Sequence, residues 1–240
     1  IPTLAYEPNA VPGMVNRFLG KRVSAAAVAF EETRSYFRNA EVTGVPVRTE
    51  IFQTGSLVIN PSRLLVTAGS NGAKVFNDTL PLLAADLLAA VPGLTILHQT
   101  GERAFAATEA AYQQANLPAG SVTVQPFVKD MPQQLDRATL VLARSGSTVA
   151  ELAAAGRPAL LVPFPQAADD HQTKNALAMV RIGAAEMLPQ AQLTPDILRT
   201  QLIALLTNSE HLQQMGHAAR SAAKPHALED IGNRIAALAK

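Results

Sequence analysis

The chain has 240 residues, 48% of them hydrophobic, with 20 Lys and Arg against 19 Asp and Glu, a formal net charge of +1 and no cysteine. That length allows one or two domains at roughly 100–200 residues each, and the even charge, with no block of one sign, gives nucleic acid no electrostatic footprint. The lack of cysteine excludes disulfides and thiolate metal sites, and no run of about 18 apolar residues is present to span a membrane.

In chain order, Ile1–Tyr6 reads as a strand already under way. No initiator Met or signal-peptide pattern precedes it, so the expectation is a piece of a longer protein. Glu7–Gly13 is a Pro/Gly loop, Met14–Leu19 a short helix, Arg22–Phe30 a buried strand and Glu31–Phe37 helical. Val42–Arg48, with Gly44 and Pro46, reads as a turn or linker, and residues 49–62 as an unpatterned connector. From Leu64 the pattern becomes regular. Strands are expected over Leu64–Thr67, Leu94–Gln99, Val122–Gln125, Leu140–Ala143, Ala159–Val162 and Ala185–Leu188. Between and after them come helices over Ala73–Ala90, Arg103–Asn116, Met131–Asp136, Ser147–Ala155, Asp170–Ile182, Thr194–Asn208, Ser209–Ala222 and Leu228–Leu238. Short apolar strands alternating with amphipathic helices predict an α/β fold built from βαβ units around a parallel sheet.

Three strand-end turns carry chemistry. Ala68-Gly69-Ser70-Asn71-Gly72-Ala73 joins a buried strand to a long helix. A helix start leaves N–H groups unpaired beside the positive end of the dipole, which suits a phosphate. The turn lacks the G-x-G-x-x-G and G-K-[ST] spacings, so a tight turn eased by glycine stands beside the phosphate reading. In LVLARSGSTVAE (Leu140–Glu151), Gly146 or Ser147 can cap the next helix, and Thr148 and Glu151 share a face of its first turn. Capping is one reading of Glu151; an ionised acceptor for both hydroxyls of a ribose is the other. In LLVPFPQAADDHQTKNA (Leu160–Ala176), Asp169, Asp170, His171, Gln172 and Asn175 fall beyond a strand's carboxyl end. Asp169 and Asp170 read as N-capping residues ahead of metal ligands. Gln172 suits sugar hydroxyls, because an amide both donates and accepts.

Together the turns resemble the MurG family of UDP-N-acetylglucosamine transferases. The resemblance runs through EPNAVPGMVNR (Glu7–Arg17), GVPVR (Gly44–Arg48), AGSNGAKVFN (Ala68–Asn77), HQTGE (His98–Glu102), PFVKDM (Pro126–Met131), RSGSTVAELAAAGRPALLVPFP (Arg144–Pro165) and ADDHQTKNA (Ala168–Ala176). It implies a GT-B fold of two Rossmann-like domains. Residues 1–48 would be a remnant of the N-terminal acceptor domain, 49–63 a linker, 64–222 the UDP-sugar-binding domain with helices on both faces of its sheet, and 223–240 a helix crossing back.

It also implies an inverting transfer of N-acetylglucosamine from UDP-GlcNAc to lipid I, giving lipid II in peptidoglycan synthesis, with neither cofactor nor metal. Ser70, with the N–H groups of Gly69, Asn71 and their neighbours, would bind the diphosphate, and Arg48 would face it. Val128 would meet uracil through its backbone. Gly146, Ser147 and Thr148 would line the phosphate and nucleoside region, and Glu151 would hold the ribose. Gln172, with His171, would hold the sugar, and Asn9 would reach it from across the cleft. The base would lie in an N-terminal domain mostly absent here, Glu7 being the one candidate present, so the chain as given would bind donor but turn over little. Contact with the cytoplasmic face of the inner membrane would be peripheral, through that same domain.

Three departures from the family pattern stand out. Ala68 replaces a usual glycine, RSGSTVAE is one residue short, and Tyr6 stands where a histidine precedes Glu-x-Asn. Other readings are a different GT-B UDP-sugar transferase, a non-catalytic nucleotide-sugar-binding module, and a nicotinamide oxidoreductase, the last lacking its glycine motif.

Overall fold

Residues 1–239 are described by a computed structural model, in which two parallel sheets share the chain. The first has β1 (Leu4–Glu7), β2 (Ala25–Val28) and β3 (Ala40–Val42), in that order. The helix α1 (Met14–Leu19) and a 3₁₀ turn at Glu31–Tyr36 connect them. β3 was not expected. Its three residues at a sheet edge are too few to show a period, and its pairing with β2 makes it a strand.

The second sheet holds β4 (Arg63–Thr67), β5 (Thr95–Gln99), β6 (Val122–Gln125), β7 (Leu140–Ala143), β8 (Ala159–Leu161) and β9 (Ala185–Met187). Their order is β6-β5-β4-β7-β8-β9, all parallel. The helices following them are α3 (Lys74–Ala90), α4 (Phe105–Gln114), α5 (Met131–Arg137), α6 (Thr148–Ala155) and α7 (His171–Arg181). After β9 come α8 (Pro195–Leu206), α9 (Ser209–Ser221) and α10 (Ala227–Leu238). This is the expected α/β sheet with helices on both faces. The central strands read as continuous apolar runs because both faces are covered. Leu64 and Val66 point into one core with Phe76 and Leu80 of α3 and Leu198 and Leu202 of α8, while Leu65 points into the other with Leu152 of α6 and Met179 of α7. Each such fully buried leucine contributes roughly 1.5–3 kcal/mol. Buried Ala153, Ala154 and Ala155 let α6 lie close on the sheet.

The stretch expected to be an unpatterned connector carries one helical turn, α2 (Thr49–Phe52). Four residues cannot hold a helix alone. Ile51 is fully buried in the second sheet's core, and two arginines far along the chain satisfy the carbonyls. Arg220 donates to Phe52 O at 3.1 Å and Thr54 O at 2.9 Å, and Arg157 to Gly55 O at 3.1 Å. Arg220 also takes the terminal carbonyls of α6 at Ala154 and Ala155.

Ion pairs join the two sheets' elements: Arg17 with Asp169, Glu32 with Arg181, and Glu41 with Arg234 of α10. Among the described residues no helix is long and apolar enough to cross a membrane.

Candidate functional site

In the large sheet the strand order reverses direction between β4 and β7. In an open parallel sheet a ligand crevice forms at such a point, beyond the carboxyl ends of the strands. The register puts three strand ends level: Thr67 lies opposite Ala143, and Ala143 opposite Leu161. The three turns singled out in the sequence therefore open side by side.

The first turn is shaped by glycine. Gly69 and Gly72 have φ of +73° and +66°, and Gly72 N–H closes the turn on Gly69 O at 3.1 Å. A Cβ on Gly72 would lie 1.8 Å from Thr100 O, whereas one on Gly69 would meet nothing within 4 Å. Gly72 is thus a packing glycine against the loop after β5, and Gly69 is open to the crevice. Ser70 and Asn71 are exposed. The N-cap of α3 is Ala73, which has no side-chain oxygen to occupy the first N–H groups. Gln99 at the end of β5 was missed in the sequence. It donates to Gly69 O at 2.6 Å and accepts from Val128 N–H at 3.2 Å. Val128, expected to meet a base through its backbone, therefore has its N–H engaged and offers its carbonyl.

At the second turn, Ser147 occupies the N-cap position of α6, but its backbone is helical and its side chain makes no cap. A capping residue itself has a non-helical, usually extended backbone, so the capping reading of Ser147 fails. Ser147 is exposed and Thr148 half-buried. Glu151 is turned to Arg48, 3.7 Å from it. Burial pushes the Glu151 carboxyl above its ordinary value, and Arg48 draws it partly back. Arg144 braces the turn. It donates to Val162 O at 2.9 Å, Pro163 O at 3.0 Å and Gln190 Oε1 at 2.6 Å, and lies 5.4 Å from the ring centroids of both Phe76 and Phe164. Burial pulls its pKa down to about 10, which leaves it charged at neutral pH.

At the third turn the aspartates do not cap. Asp170 stands at the N-cap of α7 with φ of +54° and makes no side-chain cap. Its carboxylate accepts from Thr173 Oγ1 at 2.6 Å, and Asp169 pairs with Arg17. His171 Nδ1 donates to Ala168 O at 2.8 Å, which leaves Nε2 an acceptor in the neutral ring. Gln172 Oε1 accepts from Phe164 N–H at 3.0 Å. Its Nε2 faces Gly146, where an added Cβ would come within 3.8 Å of it.

The small sheet delivers Glu7 and Asn9. Glu7 is 3% exposed, and its carboxylate accepts from Asn9 N at 3.0 Å, Asn9 Nδ2 at 3.0 Å, Gly13 N at 3.2 Å and Asn16 Nδ2 at 2.8 Å. Four donors hold it as the organiser of its loop, not as a base free to take a proton. Asn9 is half-exposed, and its Oδ1 accepts from Asn175 of α7 at 3.2 Å.

Residues 63–231 match the family model of the glycosyltransferase family 28 C-terminal domain. A UDP-N-acetylglucosamine--N-acetylmuramyl-(pentapeptide) pyrophosphoryl-undecaprenol N-acetylglucosamine transferase of Shewanella frigidimarina is 41% identical, over 100% of this chain and 66% of its own length. The like-named protein of Shewanella oneidensis is 40% identical, over 100% and 67%. The crystal structure of Acinetobacter baumannii MurG superposes with a TM-score of 0.85 at 36% identity, covering 98% of this chain and 66% of that one. The chain thus spans about two thirds of the length of these relatives. The level strand ends, the turns and these likenesses agree: the chain belongs to glycosyltransferase family 28 and carries that family's C-terminal domain.

Proposed function

We propose that this chain is the donor-binding part of an inverting glycosyltransferase, which moves N-acetylglucosamine from UDP-N-acetylglucosamine to a lipid-linked muramyl acceptor in peptidoglycan synthesis. The observation that carries the reading is the level register of β4, β7 and β8, which opens three polar turns at one crevice. The names of the relatives, all N-acetylglucosamine transferases acting on a pyrophosphoryl-undecaprenol acceptor, support the choice of sugar and acceptor.

In this reading residues 64–222 bind the donor, 1–48 belong to the acceptor side, and 223–240 cross back to it. The diphosphate lies against Gly69, Ser70 and Asn71 at the start of α3. Arg48 leaves Glu151 to face that charge, and Glu151 accepts the ribose hydroxyls. The Val128 carbonyl meets the base. Gly146, Ser147 and Thr148 line the phosphate and nucleoside region, and Asn9, His171 and Gln172 hold the sugar. As the acceptor hydroxyl attacks the anomeric carbon, negative charge grows on the departing UDP. Fixed amides, the α3 dipole and Arg48 stabilise it without having to reorganise. The lipid-linked acceptor places the work at a membrane, and the resemblance to the MurG family implies its cytoplasmic face, with the protein held peripherally.

Calorimetric titration with UDP-N-acetylglucosamine, UDP-glucose and NAD tests this. The expected order is UDP-N-acetylglucosamine tightest, UDP-glucose weaker and NAD without saturable binding. Preference for NAD, or no binding of either UDP-sugar, overturns the reading.

A further inference from the structure

Asn175 is 1% exposed on α7 and has no part in the donor contacts assigned above. Its Oδ1 accepts from Ala10 N–H at 2.9 Å, and its Nδ2 donates to Ser145 O at 3.0 Å and to Asn9 Oδ1 at 3.2 Å. It therefore holds a loop of the small sheet and the turn after β7 at once, across 165 residues of chain.

We propose that Asn175 is a positioning residue for the donor sugar: it fixes the direction of the Asn9 amide and ties that amide to Gln172 through Ser145. The inference rests on the donor reading above.

An asparagine in a loop can present either end of its amide to a ligand. Asn9 cannot. Its Nδ2 donates to an oxygen of the Glu7 carboxylate, and its Oδ1 receives Asn175 Nδ2. Turning the Asn9 amide over would set oxygen against carboxylate and nitrogen against nitrogen. Asn175 is locked in the same way, because Ala10 N–H needs an acceptor and Ser145 O needs a donor. Asn9 is left with one N–H and one lone pair, each aimed in a set direction.

Ser145 carries the link onward. It is fully buried, its carbonyl takes Asn175, and its hydroxyl donates to the carbonyl of Gln172 at 2.8 Å. The two amides that reach the sugar come from different sheets, yet both are spaced from one residue. Hydroxyls on a pyranose ring are rigidly spaced, so a pair of partners fixed beforehand avoids the cost of ordering them on binding.

The test separates sugar from nucleotide. The affinities of the whole chain for UDP and UDP-N-acetylglucosamine are measured for wild type, Asn175→Ala, Asn175→Asp, Asn9→Ala and the Asn9→Ala/Asn175→Ala pair. UDP affinity serves as the control that each variant is folded. Asn175→Ala is expected to weaken UDP-N-acetylglucosamine by about tenfold and UDP by less than about twofold, the scale of one directed hydrogen bond. Asn175→Asp keeps the shape but loses both donors, and is expected to fail equally. Asn9→Ala is expected to cause the same loss, and the pair no more than either alone. Parallel loss of UDP and UDP-N-acetylglucosamine, recovery by Asn175→Asp, or losses that multiply in the pair would show a merely structural role and overturn the inference. A wild type that binds neither ligand overturns the donor reading itself.

Discussion

The turns on either side of the switch point are built by opposite means. Residues 68–73 rely on backbone: two glycines at positive φ, a close approach to the loop after β5, and a brace from Gln99. Residues 144–148 rely on side chains: Arg144 reaches three acceptors and two rings, and Ser145 and Asn175 fasten the turn to α7 and the small sheet. The difference matches what each would hold. A diphosphate spreads charge over many oxygens and is met by a cluster of amides and a helix dipole. Hydroxyls are directional and need partners whose rotamers are fixed by a network.

The largest effect is expected from Gly72→Ala. The new methyl would meet Thr100 O at a backbone angle that alanine resists, costing about 3 kcal/mol or more. Gly69→Ala has the same angular strain but open space, so it is expected to melt clearly higher than Gly72→Ala. Equal melting temperatures would break the assignment of Gly72 to packing.

Next comes Glu151→Gln. Loss of a charged acceptor for the ribose is expected to weaken both UDP and uridine by about 10- to 100-fold. Ser70→Ala comes third, with a loss of about two- to tenfold for UDP and none for uridine, because that hydroxyl is assigned to the phosphates. Isothermal titration with the two ligands reads both variants. A uridine effect at Ser70, or none at Glu151, would erase the division of labour between the turns.

The smallest effect concerns pH. Burial raises the Glu151 pKa in the folded chain. The folded state then favours the neutral acid, so this group's contribution to stability is greatest below the ordinary carboxyl value and falls as pH rises through the raised one. At neutral pH its charge costs stability, and Glu151→Gln is expected to melt slightly higher than wild type while binding worse. UDP affinity should decline on acidification sooner than an ordinary glutamate would dictate. A lower melting temperature for Glu151→Gln at neutral pH would contradict the burial argument.

Much of this was legible in the sequence. Val122–Gln125 and Leu140–Ala143 emerge with the expected ends, because a short apolar run between turn residues has few alternatives. The strand order was not legible, since pairing β4 with β7 depends on contacts between distant segments. α2 escaped for the same reason: Arg157 and Arg220 stabilise it from more than a hundred residues away. The aspartates looked like caps because their residue type suits capping, yet positive φ at both turns their carboxylates elsewhere. Glu7 was a candidate base only while its four donors were unseen. Gln99 is invisible as a functional residue in sequence, because it acts through the residues it holds; Asn175 was legible as part of the third turn, but its ties to Ala10, Asn9 and Ser145 were not.

The central claim is that the switch-point crevice receives the UDP-sugar, and a crystal structure of the chain with UDP-N-acetylglucosamine tests it most directly. The account predicts the diphosphate within hydrogen-bonding reach of Ser70 and the start of α3, with the ribose on Glu151. It is contradicted if the ligand sits instead in the apolar cavity of about 440 Å³ lined by Phe30, Val47, Phe52, Val149 and Met179, or if its ribose lies away from Glu151.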